Sequence, residues 1–454
     1  MQARGCGAAR ATRRNATIDT KQMGMWPLLV TPLLLAPVFP PSVDLFLPGA
    51  PMRTVDGVSR RVACYRLPAM IAATNGTVLA FVSARNWTGD GCHPIHPVVS
   101  TDKDSMQTLA LRRSTDGGSS FGPITQAISG QFVDFQAVWD RDRSRVVVIS
   151  CFDPASPFAH SCNGGGKARW IQTVSTDMGL SFSTPAPIVG NLKSDQGIQP
   201  GAGRALQLRQ GRLLFCGHAT DAVHGNIAPV WASDNGGDSY TLTAMLPRGL
   251  PGNPRWGPDE CSLVELSKNG TVRMEARNNW YSQTGHPTKM FFLSTDSGVS
   301  WGQQHFDDNL SLDPTCQGGS LSVEATSPSS SSPSSVLLLS GPVSDPRTPA
   351  FRGRVNLTVH ASLDDGATWA SATQVLSGPS GYSSLSELQL PTDRNGDDQA
   401  QNVGLLFEQA DAKLCEPCLP SWKTAPGGCA ARGLGAESCK ISFVRLPVAG
   451  LLPQ

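Results

Sequence analysis

Residues 113–121 read RSTDGGSSF, and residues 114–121 follow the pattern S-x-D-x-G-x-S/T-aromatic. In this pattern the aspartate carboxylate can accept backbone N–H groups across a tight turn, and a glycine supplies a left-handed backbone conformation. The aromatic residue that ends the pattern can pack beneath the turn. The stretch is therefore typical of the corner between two antiparallel strands.

The same pattern, which we call the Asp box, occurs at five places in the chain. Its copies start at Ser114, Ser175, Ser233, Ser294 and Ser362. Successive starts are 61, 58, 61 and 68 residues apart, and the third copy has Asn235 in place of the aspartate. A period near sixty residues indicates one structural unit that is repeated. We expect the box to be structural, because a catalytic site needs one set of groups rather than five.

Between the boxes the sequence favours short strands. The segments VVVISCF, RLLFCGH, SVLLLSGPV and VGLLFEQ are apolar runs bounded by turn residues, and no helical periodicity of convincing length appears. Repeated units of this size, each a small antiparallel sheet, are typical of β-propellers, and the roughly 400 residues after the N-terminal segment correspond to about six units. We therefore predict an all-β fold, a six-bladed β-propeller with Asp-box turns.

The net charge and the motifs of the chain indicate which kinds of partner and ligand to expect. The chain has 454 residues, of which 16% are charged, and its formal net charge is +1. A charge this close to zero gives no electrostatic reason to expect nucleic acid or an anionic membrane as a partner. The sequence contains no evident metal-ligand constellation and no phosphate-binding loop. We therefore expect neither a metal nor a cofactor.

The first 45 residues differ from the rest of the chain. Five basic residues precede an apolar stretch at 25–39 that contains no acidic residue. Such an arrangement is typical of a secretory signal, and the stretch is short and interrupted by prolines for a membrane span. We expect a signal peptide or leader at 1–45 and the propeller at 50–454, with an uncleaved anchor as the alternative. No membrane span is expected in the mature chain.

Two further features favour the secretory pathway. Four of the twelve cysteines lie in a Cys-rich insertion at 415–439, whose spacing and compartment suit disulfides better than a zinc site, with the pairing left open. A serine-rich stretch at 327–335 is expected to be a loop. The second feature is a set of N-glycosylation sequons, which lie at Asn75, Asn86, Asn269, Asn309 and Asn356. We therefore predict a lysosomal or secreted protein.

Motifs outside the boxes resemble those of the exo-α-sialidases, or neuraminidases. The resemblance covers residues 61–446 and is most marked with the lysosomal sialidase of animals. Asp boxes alone would be weak evidence, because non-enzymatic propellers also contain them, whereas the ordered set of motifs is specific. The motifs are YRLP at 65–68, PDEC at 258–261, EARN at 275–278, RVNLT at 354–358 and GPSGYSSL at 378–385.

The substrate of such enzymes explains why arginines are needed. Sialic acid carries a carboxylate on its anomeric carbon, and the guanidinium fork pairs with a carboxylate through two hydrogen bonds without losing its charge. The resemblance implies that Arg66, Arg277 and Arg354 bind this carboxylate, with Arg352 as the alternative to Arg354. It also implies that Glu408 holds the first of the three arginines.

The same carboxylate explains the nucleophile. An attacking aspartate or glutamate would be repelled by the substrate's own charge, whereas a neutral tyrosine would not, provided that a base removes its proton. Sialidases are the glycosidases known for a tyrosine nucleophile. The resemblance implies that Tyr382 is the nucleophile and Glu260 its base.

The acid that protonates the leaving oxygen has two candidates. Relatives place an aspartate about ten residues before the arginine that precedes the first box, and this chain has Asp102 and Asp104 there; we prefer Asp102. Arg85 matches a further pocket arginine. Ser83 departs from the family, because animal members usually have an acid at this position, and its presence could alter pH dependence or substrate choice.

Two other side chains, a cysteine and a histidine, are of types that often act in catalysis. We expect Cys261, which follows Glu260, to be a buried free thiol. We expect His218 to be a hydrogen-bonded histidine on an inner strand rather than a general base.

The resemblance implies a retaining exo-α-sialidase that hydrolyses terminal α-linked sialic acids from glycoproteins, glycolipids and oligosaccharides. The alternatives are a non-catalytic sialoglycan-binding propeller, a variant that prefers the deaminated sialic acid Kdn, and a trans-sialidase. The expected partners are sialylated glycans. A carboxypeptidase is a further expected partner, since the animal lysosomal relatives act in a complex with one.

Overall fold

The computed structural model describes residues 39–453 with gaps. The gaps are 74, 87–106, 129–131, 133, 153–168, 191–197, 222–224, 247–256, 267–269, 280–285, 308, 311–312, 327–332, 345–353, 390–400 and 410–439. The predicted leader up to residue 38, the Cys-rich insertion and residues 327–332 of the serine-rich stretch lie outside the described residues. The expectation of a loop is wrong for residues 333–335, which begin the strand Pro333–Ser344 and pair with residues 324–326. Asp102, Asp104 and Arg352 also lie outside them.

The described strands form six sheets, which we number as blades in chain order, each given from its inner strand outward. Blade 1 contains Cys64–Ala72, Val78–Arg85, Gln107–Ser114, Thr125–Gln126, Pro51–Arg53 and Ser59–Arg61. Blade 2 contains Phe135–Asp140, Arg145–Phe152, Arg169–Ser175 and Ala186–Pro187, with Gly203–Arg204 beside its inner strand. Blade 3 contains the inner segments Gln199–Pro200 and Leu206–Gln207, then Leu213–Asp221, Pro229–Ser233 and Thr241–Met245, with Gly225–Ile227 paired to Leu213–Asp221.

The remaining three sheets are simpler. Blade 4 contains Pro258–Glu265, Val272–Asn278, Met290–Ser294 and His305–Phe306. Blade 5 contains Gly319–Thr326, Pro333–Ser344, Arg354–Ser362 and Ser371–Gln374. Blade 6 contains Ser380–Leu388, Asn402–Gln409, Lys440–Pro447 and Val43–Phe46, and a 3₁₀ turn at Val448–Gly450 follows its third strand.

The first strands of successive blades contact one another in a closed ring, so the prediction of a six-bladed β-propeller is confirmed. Each second strand lies between the faces of two neighbouring blades. Every residue of Val78–Arg85 is buried for this reason. A strand covered on both faces is apolar without alternation, which explains the continuous apolar runs in the sequence.

The Asp boxes form the corners after the third strands of blades 1–5. In the first box Gly118 N–H donates to Ser114 Oγ, and Ser120 N–H donates to Asp116 Oδ1, both at 2.9 Å. The other four boxes repeat both bonds, and Asn235 Oδ1 replaces the carboxylate oxygen in the third. The predicted structural role of the boxes is therefore confirmed.

Each box also contacts the preceding blade around the ring. Gly179 has φ +80°, and a Cβ at this position would lie 2.9 Å from Leu79 on the second strand of blade 1. The aromatic residue of the first box, Phe121, packs edge-on against Phe443 of blade 6 at 5.2 Å. The boxes therefore join neighbouring blades as well as turning the chain.

Blade 6 is completed by the beginning of the described chain. Val43–Phe46 pairs antiparallel with Lys440–Pro447, so one sheet contains strands from both ends of the described chain. This strand begins before residue 50, where we expected the propeller to start, and its first three residues, 43–45, belong to the predicted leader. Its last residue, Phe46, is fully buried. In the part of the chain that the structure describes, no helix has the length and apolarity needed to cross a bilayer.

The prediction that Cys261 is a free thiol is wrong. The second strand of blade 3 and the inner strand of blade 4 bring the Cα atoms of Cys216 and Cys261 to 6.2 Å, and the two residues form a disulfide. Cys64 and Cys151 are also disulfide-bonded. Among the described residues, the free cysteine is Cys316, which is buried.

Candidate active site

Six predicted site residues lie on strands of blades 1, 4, 5 and 6. Inner strands carry Arg66 of blade 1, Glu260 of blade 4 and Tyr382 of blade 6. Arg277 and Glu408 lie on the second strands of blades 4 and 6. The first residue of the third strand of blade 5 is Arg354. Residues that are 342 positions apart in sequence therefore touch, because the ring brings distant blades together.

Tyr382 and Glu260 form the centre of the site. The phenol of Tyr382 donates a hydrogen bond to Glu260 Oε1. Arg277 Nη1 donates to Glu260 Oε2 at 2.9 Å and to Tyr382 Oη at 3.2 Å. Burial first and the Glu260 charge second hold the pKa of Tyr382 well above its usual value, against the opposing effect of three arginines. The phenol is therefore neutral and already bonded to a carboxylate that can accept its proton.

Three guanidinium groups surround this phenol. The Cζ atoms of Arg66 and Arg354 lie 5.0 and 5.4 Å from the centre of the Tyr382 ring, and Arg277 contacts its hydroxyl. Glu260 pairs with Arg277 and Glu408 pairs with Arg66, so the three cations outnumber these two carboxylates. The arrangement concentrates positive charge around the candidate nucleophile, which suits an anionic ligand.

Glu408 fixes Arg66 and the Tyr382 backbone at once. Its carboxylate is fully buried and accepts from Arg66 Nε at 3.0 Å and Nη2 at 3.1 Å. The same carboxylate accepts the backbone N–H groups of Leu67 at 3.1 Å and Tyr382 at 3.0 Å. The predicted contact between Glu408 and the first arginine is present in the structure.

Local backbone geometry makes room for these contacts. Leu67 follows Arg66 at a bulge in the inner strand and has φ +57°, a conformation that non-glycine residues rarely adopt. Gly381 precedes Tyr382, and a Cβ there would lie 2.3 Å from Glu408 Oε2. Gly381, the second glycine of GPSGYSSL, is therefore needed for the carboxylate to reach the backbone of the tyrosine.

Arg85 lies at the end of the second strand of blade 1 and is buried. Its Nε donates to Ser83 Oγ at 3.1 Å. The hydroxyl of Ser83 thus contacts this arginine. Ser83 is the position at which animal sialidases usually have an acid. The role of Arg85 in substrate binding stays a prediction, and so do the roles of Asp102, Asp104 and Arg352, which lie outside the described residues.

Further polar groups that the sequence did not predict support Arg277. Arg277 Nε donates to Asn279 Oδ1 at 3.0 Å, and Asn279 Nδ2 donates to Asp259 Oδ2. Burial raises the pKa of Asp259, but the charges of His218 and Arg277 outweigh it, and the pKa is lowered. Asp259 and Asn279 directly adjoin Glu260 and the EARN motif, and this adjacency was the only available signal.

His218 is placed differently from the expectation. It lies on the second strand of blade 3, and its ring nitrogens are 3.9 Å from carboxylate oxygens of Asp134 and Asp259, beyond hydrogen-bond distance. Its Nδ1 has no hydrogen-bond partner among the described residues. The expectation of an inner-strand position for His218 is therefore wrong, because the inner position of blade 3 is taken by two shorter segments.

Comparison with known proteins gives one family and several relatives. The model of the BNR repeat-like domain matches residues 158–391, just over half of the chain. A sialidase of Micromonospora viridifaciens is 27% identical over 343 residues, covering 71% of this chain and 48% of the relative. A sialidase of Vibrio cholerae is 27% identical over 306 residues, covering 63% and 37%. The chain thus spans half or less of the length of these two curated relatives.

Solved structures agree with the fold. The NanB sialidase of Streptococcus pneumoniae superposes with a TM-score of 0.63 at 16% identity, covering 91% of this chain and 72% of that one. A Hadza microbial sialidase gives a TM-score of 0.61 at 18% identity, covering 86% and 70%. At these identities the likeness supports the propeller architecture alone.

Proposed function

The chain belongs to the family of BNR repeat-like domains, and from that premise we propose that it is a retaining exo-α-sialidase. The observation that carries the proposal is the hydrogen bond from the Tyr382 phenol to Glu260, with three guanidinium groups around it. The sialidase names of the relatives in Micromonospora viridifaciens and Vibrio cholerae support the same assignment.

Substrate binding depends on the arginines in this proposal. The carboxylate of a terminal sialic acid pairs with Arg66, Arg277 and Arg354, whose charges are permanent. Because Glu408 holds Arg66 through two hydrogen bonds, that guanidinium does not have to be ordered when the substrate arrives. The bound carboxylate fixes the anomeric carbon next to Tyr382.

In the first chemical step Tyr382 Oη forms a bond to the anomeric carbon, and its proton passes to Glu260. The bond from the anomeric carbon to the glycan oxygen breaks, and that oxygen takes a proton from Asp102, with Asp104 as the alternative donor. Arg277 contacts both partners of the proton transfer and stabilises the charge that moves between them.

In the second step water attacks the sialyl-tyrosine from the face that the glycan left. The aspartate that acted as acid takes the proton of the water, and Glu260 returns its proton to the departing tyrosine. Two inversions at one carbon give retention. A tyrosine suits the first step, because a neutral nucleophile is not repelled by the substrate carboxylate.

The proposed substrates are terminal α-linked sialic acids on glycoproteins, glycolipids and oligosaccharides. The contact between Ser83 and Arg85 is the specific observation that keeps Kdn preference open, since an acid is expected in place of Ser83. Comparing sialosides that carry an N-acyl group with Kdn glycosides tests this preference. Transfer to an added acceptor sugar tests the trans-sialidase alternative.

The proposal is tested with a fluorogenic α-sialoside at mildly acidic pH. Wild type should release the fluorophore, and Tyr382→Phe, which keeps the ring and removes the hydroxyl, should lose about 10³-fold or more in kcat. No release by the wild type, or a Tyr382→Phe variant as active as the wild type, would defeat the proposal. Binding of sialosides without turnover would favour the glycan-binding alternative.

We also propose that the protein enters the secretory pathway and works in a lysosome or outside the cell. The basic and apolar segments within residues 1–45 and the Cys216–Cys261 disulfide support this location, because disulfides persist in oxidising compartments. Immunostaining together with lysosomal markers tests it. The carboxypeptidase partner stays a prediction, which co-purification with such an enzyme would test.

A further inference from the structure

A buried lysine lies close to the candidate active site without belonging to it. Lys289 immediately precedes the third strand of blade 4, and its side chain is 6% exposed. Its stem passes over Gly318, where a Cβ would lie 3.2 Å from Lys289 Cε. Burial of an ammonium group is costly unless it is paired and hydrogen-bonded, so the contacts of Lys289 indicate what it is held for.

The ammonium group holds one short segment, residues 313–317, which we call the connector because it leads from blade 4 to blade 5. Lys289 Nζ donates to Asp313 Oδ2 and, at 2.5 Å, to the carbonyl oxygen of Cys316. Asp313 Oδ1 in turn accepts the Cys316 N–H at 3.1 Å, and Asp313 N–H donates to the Pro287 carbonyl at 2.8 Å. One cation thus anchors both the side chain at the start of the connector and a carbonyl within it.

The connector contacts the arginine at the far side of the site. Arg354 Nη2 donates to the Thr315 carbonyl at 2.8 Å. Thr315 has φ +55°, and a β-branched residue keeps such a conformation only where its surroundings impose it. The position of this carbonyl is therefore set by the anchoring of its neighbours on either side.

The connector also contacts the strand that carries the tyrosine. Gln317 Oε1 accepts the N–H of Ser383, the residue after Tyr382, at 3.2 Å. Cys316 packs in the same apolar cluster as Tyr382 and Leu67. A displacement of the connector would therefore move the acceptor of Arg354 and disturb the backbone beside Tyr382.

We propose that Lys289 is a positioning residue for the carboxylate site, acting through the connector on Arg354; this rests on the proposed sialidase function. Without the ammonium group, Asp313 would be a buried carboxylate without its cation, and the Cys316 carbonyl would lose its donor. The connector would then relax, and Arg354 would lose the fixed acceptor that orients its guanidinium. Because Arg354 binds a charge that the substrate carries in the ground state and the transition state alike, the loss appears chiefly in KM.

The test compares Lys289→Met with Lys440→Met, which removes a lysine that pairs with Asp44 at 2.8 Å in blade 6. Lys289→Met should raise KM about tenfold or more, with kcat changed much less. Lys440→Met should leave KM unchanged. If Lys289→Met does not fold, Asp313→Asn, which keeps the shape of the side chain, should raise KM in the same direction.

A double-mutant cycle asks whether Lys289 acts through Arg354. In an Arg354→Met background, Lys289→Met should raise KM by much less than it does in the wild type. Equal effects in the two backgrounds, or a Lys289→Met variant with wild-type KM, would overturn the proposal. If the wild type binds sialic acid without turnover, the proposed function fails, and the same comparisons by calorimetry with free sialic acid still decide the role of Lys289.

Discussion

At the scale of single residues, one buried carboxyl group, that of Glu275, makes the stability of the protein depend on pH. Glu275 and Asp307 share Arg273, whose guanidinium lies against Gly366 of the fifth Asp box. Arg273 Nε donates to Glu275 Oε1 at 2.6 Å and Nη2 donates to Asp307 Oδ2 at 2.7 Å. Glu275 Oε2 has no hydrogen-bond partner among the described residues. Burial, the largest cause, raises the pKa of Glu275 to about 8 against the attraction of Arg273.

This environment predicts a pH-dependent stability. Between the ordinary carboxyl pKa of 4.5 and about 8, the folded protein binds more protons at Glu275 than the unfolded chain does. The free energy of unfolding should therefore fall as pH rises through this window, by at most about 1.4 kcal/mol per pH unit from this group. Glu275→Gln should remove this part of the slope, and denaturation of both proteins at pH 5, 6, 7 and 8 measures it. If the pH dependence of the free energy of unfolding is unchanged in Glu275→Gln, a group other than Glu275 binds the extra proton of the folded state.

Residues carried by motifs were predictable, and residues defined by contacts between blades were not. Arg66, Arg277, Arg354, Glu260 and Tyr382 each lie in a recognisable motif, and the structure brings all five together. The connector and the disulfide at Cys261 depend on which strands become neighbours, and nothing local in the sequence encodes that. Sequence position alone could not distinguish a free Cys261 from one facing Cys216.

At the scale of elements, the Asp box is both a corner and a contact between blades. Hydrogen bonds from Ser120 and Ser114 lower the pKa of Asp116 to about 2, although desolvation, the largest single effect, opposes them. The stabilisation from this carboxylate is therefore complete above pH 3.8 and is lost only as pH falls from there towards about 2. The first box should stay intact in a mildly acidic compartment.

The contact between blades predicts a difference between two glycines of similar conformation. Gly179 has φ +80° and faces Leu79 at 2.9 Å, whereas Gly57 has φ +84° with nothing within 4 Å of an added Cβ. Gly57→Ala should cost about 1 kcal/mol of backbone strain, and Gly179→Ala should cost about 1–3 kcal/mol more because the methyl group overpacks the contact. Chemical denaturation of both variants measures the difference, and equal losses would mean that the second box only turns the chain.

The repeat predicted where the corners lie but not what they touch. The eight-residue pattern is local, so hydrogen bonds such as Gly118 to Ser114 follow from it directly. The packing of Phe121 on Phe443 joins residues that are more than 300 positions apart. It depends on the ring being closed, which no single repeat encodes.

At the scale of the whole molecule, the ring is closed by a strand from the beginning of the described chain. Phe46 at the end of that strand is fully buried and packs on Tyr65 with ring centres 5.3 Å apart. Six blades could be predicted from the period of the boxes. The closing strand could not, because Val43–Phe46 has four residues and pairs with a segment at the other end of the described chain.

Closure predicts a large effect of one side chain near the start of the described chain. Phe46→Ala should cost about 3–5 kcal/mol, because it leaves a cavity where the first and last blades meet. Val43→Ala on the same strand is the matched control, since Val43 is 54% exposed and its loss should change stability by less than about 0.5 kcal/mol. Thermal and chemical unfolding measure both changes. Similar small losses would show that the strand contributes little to closure.

The most direct test of the account is to trap the sialyl-enzyme. A 2,3-difluorosialic acid has a leaving group at C2 that needs little help from an acid, and its fluorine at C3 slows release of the covalent intermediate. Incubation with the wild-type protein, followed by proteolysis and mass spectrometry of the peptides, should place one sialyl adduct on Tyr382 with loss of fluoride. An active enzyme that is labelled on another residue would contradict the claim that a phenol held by Glu260 and surrounded by guanidinium groups is the nucleophile.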